Sequence, residues 1–347
     1  MSASESMLLK MNEAVVQVSS NHAPLMGFLR SLLSRIEVEG ETPDVRSHLQ
    51  WVCRTPLSRR RAPLGGELLQ VAAGVYGQDD VVGIPYVPGF PGFSARYQGT
   101  EQLQVAAQLI YQVPWDRLRA LLGRYAPNYF LTRLMYHVVY VPAAWYLGRN
   151  LSRFWFHAGA VTRGDKALLV GGLAGIGKST LCLRLIEDEQ FELLSDDLLF
   201  YDEREVHTCY EPVRLLDATS KEGQQARLLA MGNKYAFEMP QQLLRSARPA
   251  MLVLPRFGPC TSLEELASAK AAERLYATSR LAAQVSEFDY YATVLSTYFE
   301  IDDWYSRQME QLRGLLSDVA CFVLYLSRDD GPEKAYEAVR EAANGIF

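Results

Sequence analysis

Apolar residues recur at helical spacing through residues 25–36, with charged and polar residues between them. That spacing predicts a helix, stopped by Gly40 and Pro43. The residues before it, 1 to about 22, are polar and are expected to fray. From about 44 to 112 the pattern shortens to alternating runs at 49–52, 68–75, 93–97 and 102–111, punctuated by Gly and Pro. Such runs predict β-strands. Two further helices are expected over 113–125 and 129–147, and Gly148-Arg149-Asn150 reads as the boundary between two domains, 1–150 and 151–347.

Beyond that boundary the pattern becomes α/β. Residues 154–161 read as a strand, Arg163-Gly164-Asp165-Lys166 as a turn, and 167–170 as a second strand. A hairpin therefore leads into the glycine-rich stretch at 172–179, and helical spacing resumes at 180–186. Strands are expected at 191–194, 198–201, 206–210, 251–254 and 321–326, long helical segments over 263–317, and a closing amphipathic helix over 332–344.

The composition narrows the classes. At 347 residues the length suits about two domains, and 49% apolar with 22% charged residues supports a sizeable core. A net charge of −5 argues against general affinity for nucleic acid or anionic membrane. The 5 cysteines, Cys53, Cys182, Cys209, Cys260 and Cys321, are scattered and form no C-x-x-C pair. That usage fits a reducing cytosol and no zinc site. No apolar run reaches membrane-spanning length and the first residues lack a signal-peptide pattern, so a soluble cytoplasmic protein is expected.

The stretch Gly172-Leu173-Ala174-Gly175-Ile176-Gly177-Lys178-Ser179 fits the pattern G-x-x-x-x-G-K-[ST] at every fixed position, between a strand and a helix. Glycines allow the backbone to take positive φ and approach an anion. The loop amides, continued at Thr180, then form a nest for phosphate oxygens at a helix N-terminus. Lys178 is placed to reach the β- and γ-phosphates, and Ser179 to ligate magnesium. ATP and Mg2+ are the expected cofactors.

Acidic residues carry the remaining chemistry. Asp196 and Asp197 follow the loop's helix at the distance one helix and a short return would span. In extended chain neighbouring side chains point to opposite faces, so at most one of the two faces the phosphates squarely. A carboxylate there can serve as general base or hold magnesium; the plain reading is a solvated pair at a strand end. An arginine cluster, Arg54, Arg59, Arg60 and Arg61, could hold an acidic segment or be a solvated loop. The aromatic, proline-rich stretch 83–93 could line a substrate groove or cap a core.

Taken together, His157-Ala158-Gly159-Ala160-Val161, the loop opening at Gly172, and Leu194-Ser195-Asp196-Asp197 resemble the HPr kinase/phosphorylase family. The resemblance covers roughly 154–216, extendable toward the C-terminus, and residues 1–150 fall outside it. It implies a P-loop kinase core of the HPr kinase/PEP carboxykinase-like type; the α+β N-terminal domain that precedes it is read from the apolar pattern alone, with substrate recognition as one role open to it. By the same resemblance Asp196 is the base toward a substrate hydroxyl, Asp197 supports it, His157 lies beside the reacting groups, and Lys178 with the loop holds the phosphates. The family's Glu-Ile-Arg-Gly segment has only a partial counterpart, Glu211-Pro212-Val213-Arg214, which puts the reverse phosphorylase reaction in doubt and suggests a divergent relative.

The expected activity is transfer of the γ-phosphoryl group of ATP to a hydroxyl, such as a serine of a peptide or protein or that of a small molecule. A nucleotide-binding regulator or scaffold without transfer is the alternative. A motor or transport ATPase is disfavoured, because the strand at 251–254 ends in Pro255-Arg256 with no acid. Arg256 reads as a strand-end residue rather than a phosphate contact. Homo-oligomerisation stays open.

Overall fold

Alternation of apolar and polar positions is what organises the first unit. The computed structural model describes residues 5–54, 68–72, 74–85, 92–99, 102–112, 129–187, 191–211, 213–215, 229–231, 234–237 and 245–347. From Glu5 onward the expected frayed segment is ordered: β1 (Glu5–Met11) and β2 (Ala14–Ser20) form an antiparallel hairpin closed at Asn12, whose φ of 58° a short polar side chain tolerates. Met7, Leu9 and Met11 turn into the core while Ser6, Leu8 and Lys10 lie on the other face, the period of two of a strand. Helix α1 (Ala23–Leu33) follows, with Pro in its first turn and Leu25, Leu29 and Leu32 buried along one stripe.

The sheet continues through β3 (Val45–Arg54), β4 (Leu69–Ala72), β5 (Val75–Gln78), β6 (Val81–Ile84), β7 (Phe93–Gln98) and β8 (Leu103–Gln112), in the order β1-β2-β3-β8-β7-β6-β5-β4. Strand β3 runs parallel to both β2 and β8, and the other pairs are antiparallel. Helices α2 (Tyr129–Met135) and α3 (Val141–Asn150) are joined through a π-turn at Tyr136–Tyr140, and the π-turn and α3 pack on β2 and β3. The fully buried His137 in that turn lies 3.0 Å from the Tyr291 hydroxyl, and burial, then nearby Arg133, lowers its pKa to about 3. The helix expected at 113–125, Arg59, Arg60 and Arg61, and most of the aromatic proline-rich stretch lie outside the described residues.

In the second unit the central hairpin is β9 (Phe154–Arg163) with β10 (Lys166–Gly171), turning at Gly164, whose φ is +64°. Helix α4 (Lys178–Glu187) leaves the loop after β10. Strands β11 (Glu192–Ser195) and β12 (Leu198–Tyr201) both pair antiparallel with β9, and β13 (Val206–Thr208) with β12. The short strand β14 (Val213–Leu215) follows, and then β15 (Leu229–Met231) and β16 (Lys234–Phe237), which fall in or at the end of a segment, Leu216–Ala236, that belongs to the first unit. Strand β17 (Ser246–Phe257) pairs with β13 through its first residues and then parallel with β10 and β19 (Ala320–Leu326). The expected helical run from 263 begins instead with a strand, β18 (Ser262–Glu265), antiparallel to β19; its four residues are too few to show a period.

Helices α5 (Ser268–Ser279), α6 (Ala283–Tyr298), α7 (Trp304–Leu315) and α8 (Gly331–Ile346) complete the chain. On one face of β9, β10, β17 and β19, helices α4 and α8 bury Leu181, Leu185, Ala335 and Val339 against Val161, Val170 and Val253. Each fully buried aliphatic side chain there contributes about 1.5–3 kcal/mol. Helix α5 covers β9, β10 and β19 with Ala271 and Leu275. A Cβ at Gly171 would lie 2.6 Å from Leu275 Cδ1, so the end of β10 packs this closely only as glycine.

The fold is thus mixed α/β with large sheets. A single division near residue 150 is expected from the sequence. The described residues form one unit of Met1–Leu151 with parts of Leu216–Ala236 and Tyr290–Asp302, and a second of Ser152–Leu215, Phe237–Asp289 and Asp303–Phe347. The later segments join the first unit through contacts distant in sequence, such as Tyr291 with Tyr97, which no local pattern announces.

Candidate functional site

The loop after β10 carries three glycines with positive φ: 119° at Gly172, 78° at Gly175 and 99° at Gly177. A Cβ would meet nothing within 4 Å at Gly175 or Gly177, so backbone conformation alone calls for glycine there. Leu173, Ala174 and Gly175 are exposed at the crest, whereas Ile176 is buried beneath it. Helix α4 starts at Lys178 and its first bond runs from the Leu181 N–H to the Gly177 carbonyl, 3.0 Å. The N–H groups of the turn before Leu181, those of Ser179 and Thr180 among them, precede the intrahelical ladder and present a positive dipole end. Lys178 is buried and its Nζ donates to the Leu173 carbonyl at 3.0 Å, which folds the ammonium over the loop.

Asp196 and Asp197 occupy the two-residue bend between β11 and β12, both of which run along the edge of β9 opposite β10. Pairing stops at Ser195 opposite Ala160 and resumes at Leu198 opposite His157, so the bend faces Ala158 and Gly159. Ser195 fastens it: its buried hydroxyl lies 2.5 Å from the Leu198 carbonyl across the bend and 3.2 Å from that of Cys209. The pair is therefore an interruption inside a paired edge rather than a solvated strand end. Asp196 is 3% exposed.

The residues of the resemblance meet around this bend. His157 is buried on β9, with its N–H donating to Ser279 Oγ at 3.1 Å and its Nδ1 3.2 Å from Asp197 Oδ1. On the other side Cys182, from α4, feels both Asp196 and Lys178. Burial, then the Asp196 charge, raises its pKa, while Lys178 opposes them. The lysine and Asp196 thus stand within electrostatic reach of one buried thiol.

Gly159 is a residue the spacing argument did not single out. A Cβ there would lie 2.8 Å from Cys182 Sγ and 3.0 Å from the Asp196 carbonyl oxygen. Glycine at this position lets α4 and the aspartate bend close onto β9. The sequence signal was its place between His157 and Val161, but the need for it arises from two chain segments remote in sequence.

Glu211 is buried just beyond the β13 segment that holds Ser195, while Pro212 lies outside the described residues. Arg256 is exposed and lies over the Tyr325 ring, 5.5 Å to the centroid, the strand-end role expected of it. Among the described residues no three His, Cys, Asp or Glu side chains are grouped to hold a metal ion, and no helix is long and apolar enough to cross a membrane.

No family model and no curated protein matches the sequence. Among solved structures the chain is similar to the Hpr(Ser) kinase/phosphatase from Coxiella burnetii, at 11% identity and a TM-score of 0.27, over 55% of this chain and 97% of that one. A likeness at that score carries no argument about activity.

Proposed function

We propose that the chain is an ATP- and magnesium-dependent kinase that transfers the γ-phosphoryl group to a hydroxyl, such as a serine of a peptide or protein or the hydroxyl of a small molecule. One observation carries this reading. The strand end that leads into the glycine loop and the bend bearing Asp196 and Asp197 flank the same part of β9, with Gly171 opposite Ala158 on one side and the bend facing Ala158 and Gly159 on the other. The proposed catalytic core is the HPr kinase/PEP carboxykinase-like part within 151–347, with 1–150 recognising the substrate.

The residues fit the group they would hold. Open space and positive φ at Gly175 and Gly177, beside the first turn of α4, suit a polyphosphate. Gly172 to Thr180 would line it, and Lys178 would place a positive charge where negative charge gathers. The Ser179 hydroxyl would supply one ligand to magnesium, an ion commonly held by one or two side chains together with phosphates and water. When bound, magnesium–ATP supplies the phosphoryl group and a counter-charge for it.

Asp196 accepts the proton of the incoming hydroxyl, and burial with Ser195 fixing the bend limits where its carboxylate can point. Asp197 is oriented by His157 and supports it. Positioning and electrostatics provide most of the rate in such transfers.

The test is direct. With ATP, magnesium and candidate hydroxyl substrates, the protein should form ADP and a product about 80 mass units heavier, the weight of one phosphoryl group. Asp196→Asn should stop transfer and leave ATP affinity within about twofold, since a base contributes to the chemical step rather than to ground-state binding. Normal turnover by that variant would remove Asp196 from the role of base. Tight binding with no transfer to any hydroxyl would favour the regulator instead.

A further inference from the structure

β10, β17 and β19 run parallel, and open α/β sheets bind ligands beyond the carboxyl ends of such strands. The glycine loop occupies that end of β10. Beside it, at the ends of β17 and β19 and the start of α8, lies a cavity of about 320 Å³. Its walls are apolar, chiefly Leu181, Pro255, Leu324, Leu326, Ala335 and Tyr336. It is continuous with the loop, since Ile176, Gly177 and Thr180 also line it, and a Cβ at Gly172 would sit 3.4 Å from the Pro255 carbonyl oxygen. The aspartate bend belongs to the opposite edge of the hairpin, on β9.

We infer that this cavity takes the nucleoside of the bound nucleotide and holds its base by the faces rather than by the edge, so that adenine and guanine nucleotides are accepted alike. The assignment rests on the loop binding a polyphosphate, as proposed above. The size suits it: small-molecule pockets start near 300 Å³ and are mostly apolar. The direction follows too. A chain of phosphates in the loop has its terminal group toward Lys178 and the aspartates, and its nucleoside end past Thr180, toward β17 and β19.

Weak selectivity follows from the lining. For a side chain to separate a 6-amino from a 6-oxo purine it must have fixed donor or acceptor character, and among the described residues no carboxylate or side-chain amide lines the cavity. Its hydroxyls, on Thr180, Ser327 and Tyr336, donate or accept as required. Of the two guanidinium groups at the rim, Arg184 is held by Glu187 and Glu333, and Arg328 lies over the Phe257 ring.

Calorimetry with ATP, GTP and tripolyphosphate, each with magnesium, tests the assignment on the full chain. Wild type should bind ATP and GTP with dissociation constants within about fivefold, a difference of roughly 1 kcal/mol. Leu326→Trp, which fills the cavity, and Tyr336→Ala, which strips a wall, should each weaken ATP at least about tenfold and leave tripolyphosphate unchanged. Circular dichroism verifies that the variants fold. If Leu326→Trp does not fold, Tyr336→Ala decides. ATP affinity unmoved in a folded variant, or a preference above about a hundredfold for one purine, overturns the inference. If wild type binds neither ATP nor tripolyphosphate, the loop assignment fails, and the cavity's with it.

Discussion

The Nδ1 of His157 lies 3.2 Å from Oδ1 of Asp197, with both side chains almost enclosed between β9 and the β11–β12 bend. An imidazole held by a buried strand at that distance restricts where the carboxylate can turn. His157→Gln should therefore lower kcat about 10- to 100-fold, the scale of lost support around a catalytic group, with ATP affinity unchanged. Asp197→Asn should show a similar loss, and the double variant little more than either alone. Fully additive effects would show that the two act independently. The pH–rate profile gives a second readout, since removing His157 should move its limbs whereas a merely structural role would leave them in place.

At Gly159 the packing leaves no room for one added carbon. Gly159→Ala would set its methyl 2.8 Å from Cys182 Sγ and 3.0 Å from the backbone oxygen of Asp196. The expected cost is roughly 1–3 kcal/mol of stability, as for other overpacked cores. Adding Cys182→Ala removes the sulfur contact but not the backbone one, so it should recover part of the loss. Chemical denaturation of the four variants measures the coupling. Zero coupling would place the strain at the Asp196 carbonyl alone.

Asp330, just before α8, accepts the Thr261 N–H at 2.8 Å and the Lys334 ammonium at 3.1 Å. The Thr261 bond first, then Lys334, hold its pKa below the usual 3.8. A depressed folded pKa means the unfolded chain binds the proton more readily. The stabilisation is therefore full above the unfolded value and is lost as pH falls through the folded one. The stability gap between wild type and Asp330→Asn, measured by urea denaturation, should be constant near neutrality and close below about pH 4. A gap that widened in acid would contradict this.

The parts that the sequence made legible are local. The turn at 163–166, the strands on either side of it, the glycine loop and the start of α4 were readable because each depends on neighbours a few residues away. The β1–β2 hairpin was missed because consecutive apolar residues, Met7-Leu8-Leu9 and Ala14-Val15-Val16, blur the strict alternation that marks a strand. β18 was missed because a four-residue edge strand is defined by pairing with β19, not by its own pattern.

By itself the sequence determined that a glycine-rich turn joins a buried strand to a helix, and that a pair of acids follows one helix later. It could do so because glycine placement and hydrophobic period act through the chain's nearest bonds. Only the tertiary structure decided that the acids interrupt a paired edge beside β9, that Gly159 must lack a side chain, and that an apolar cavity opens where β10, β17 and β19 end together. Those features come from contacts between segments tens to more than a hundred residues apart, where register and packing choose the neighbours and no local signal records them.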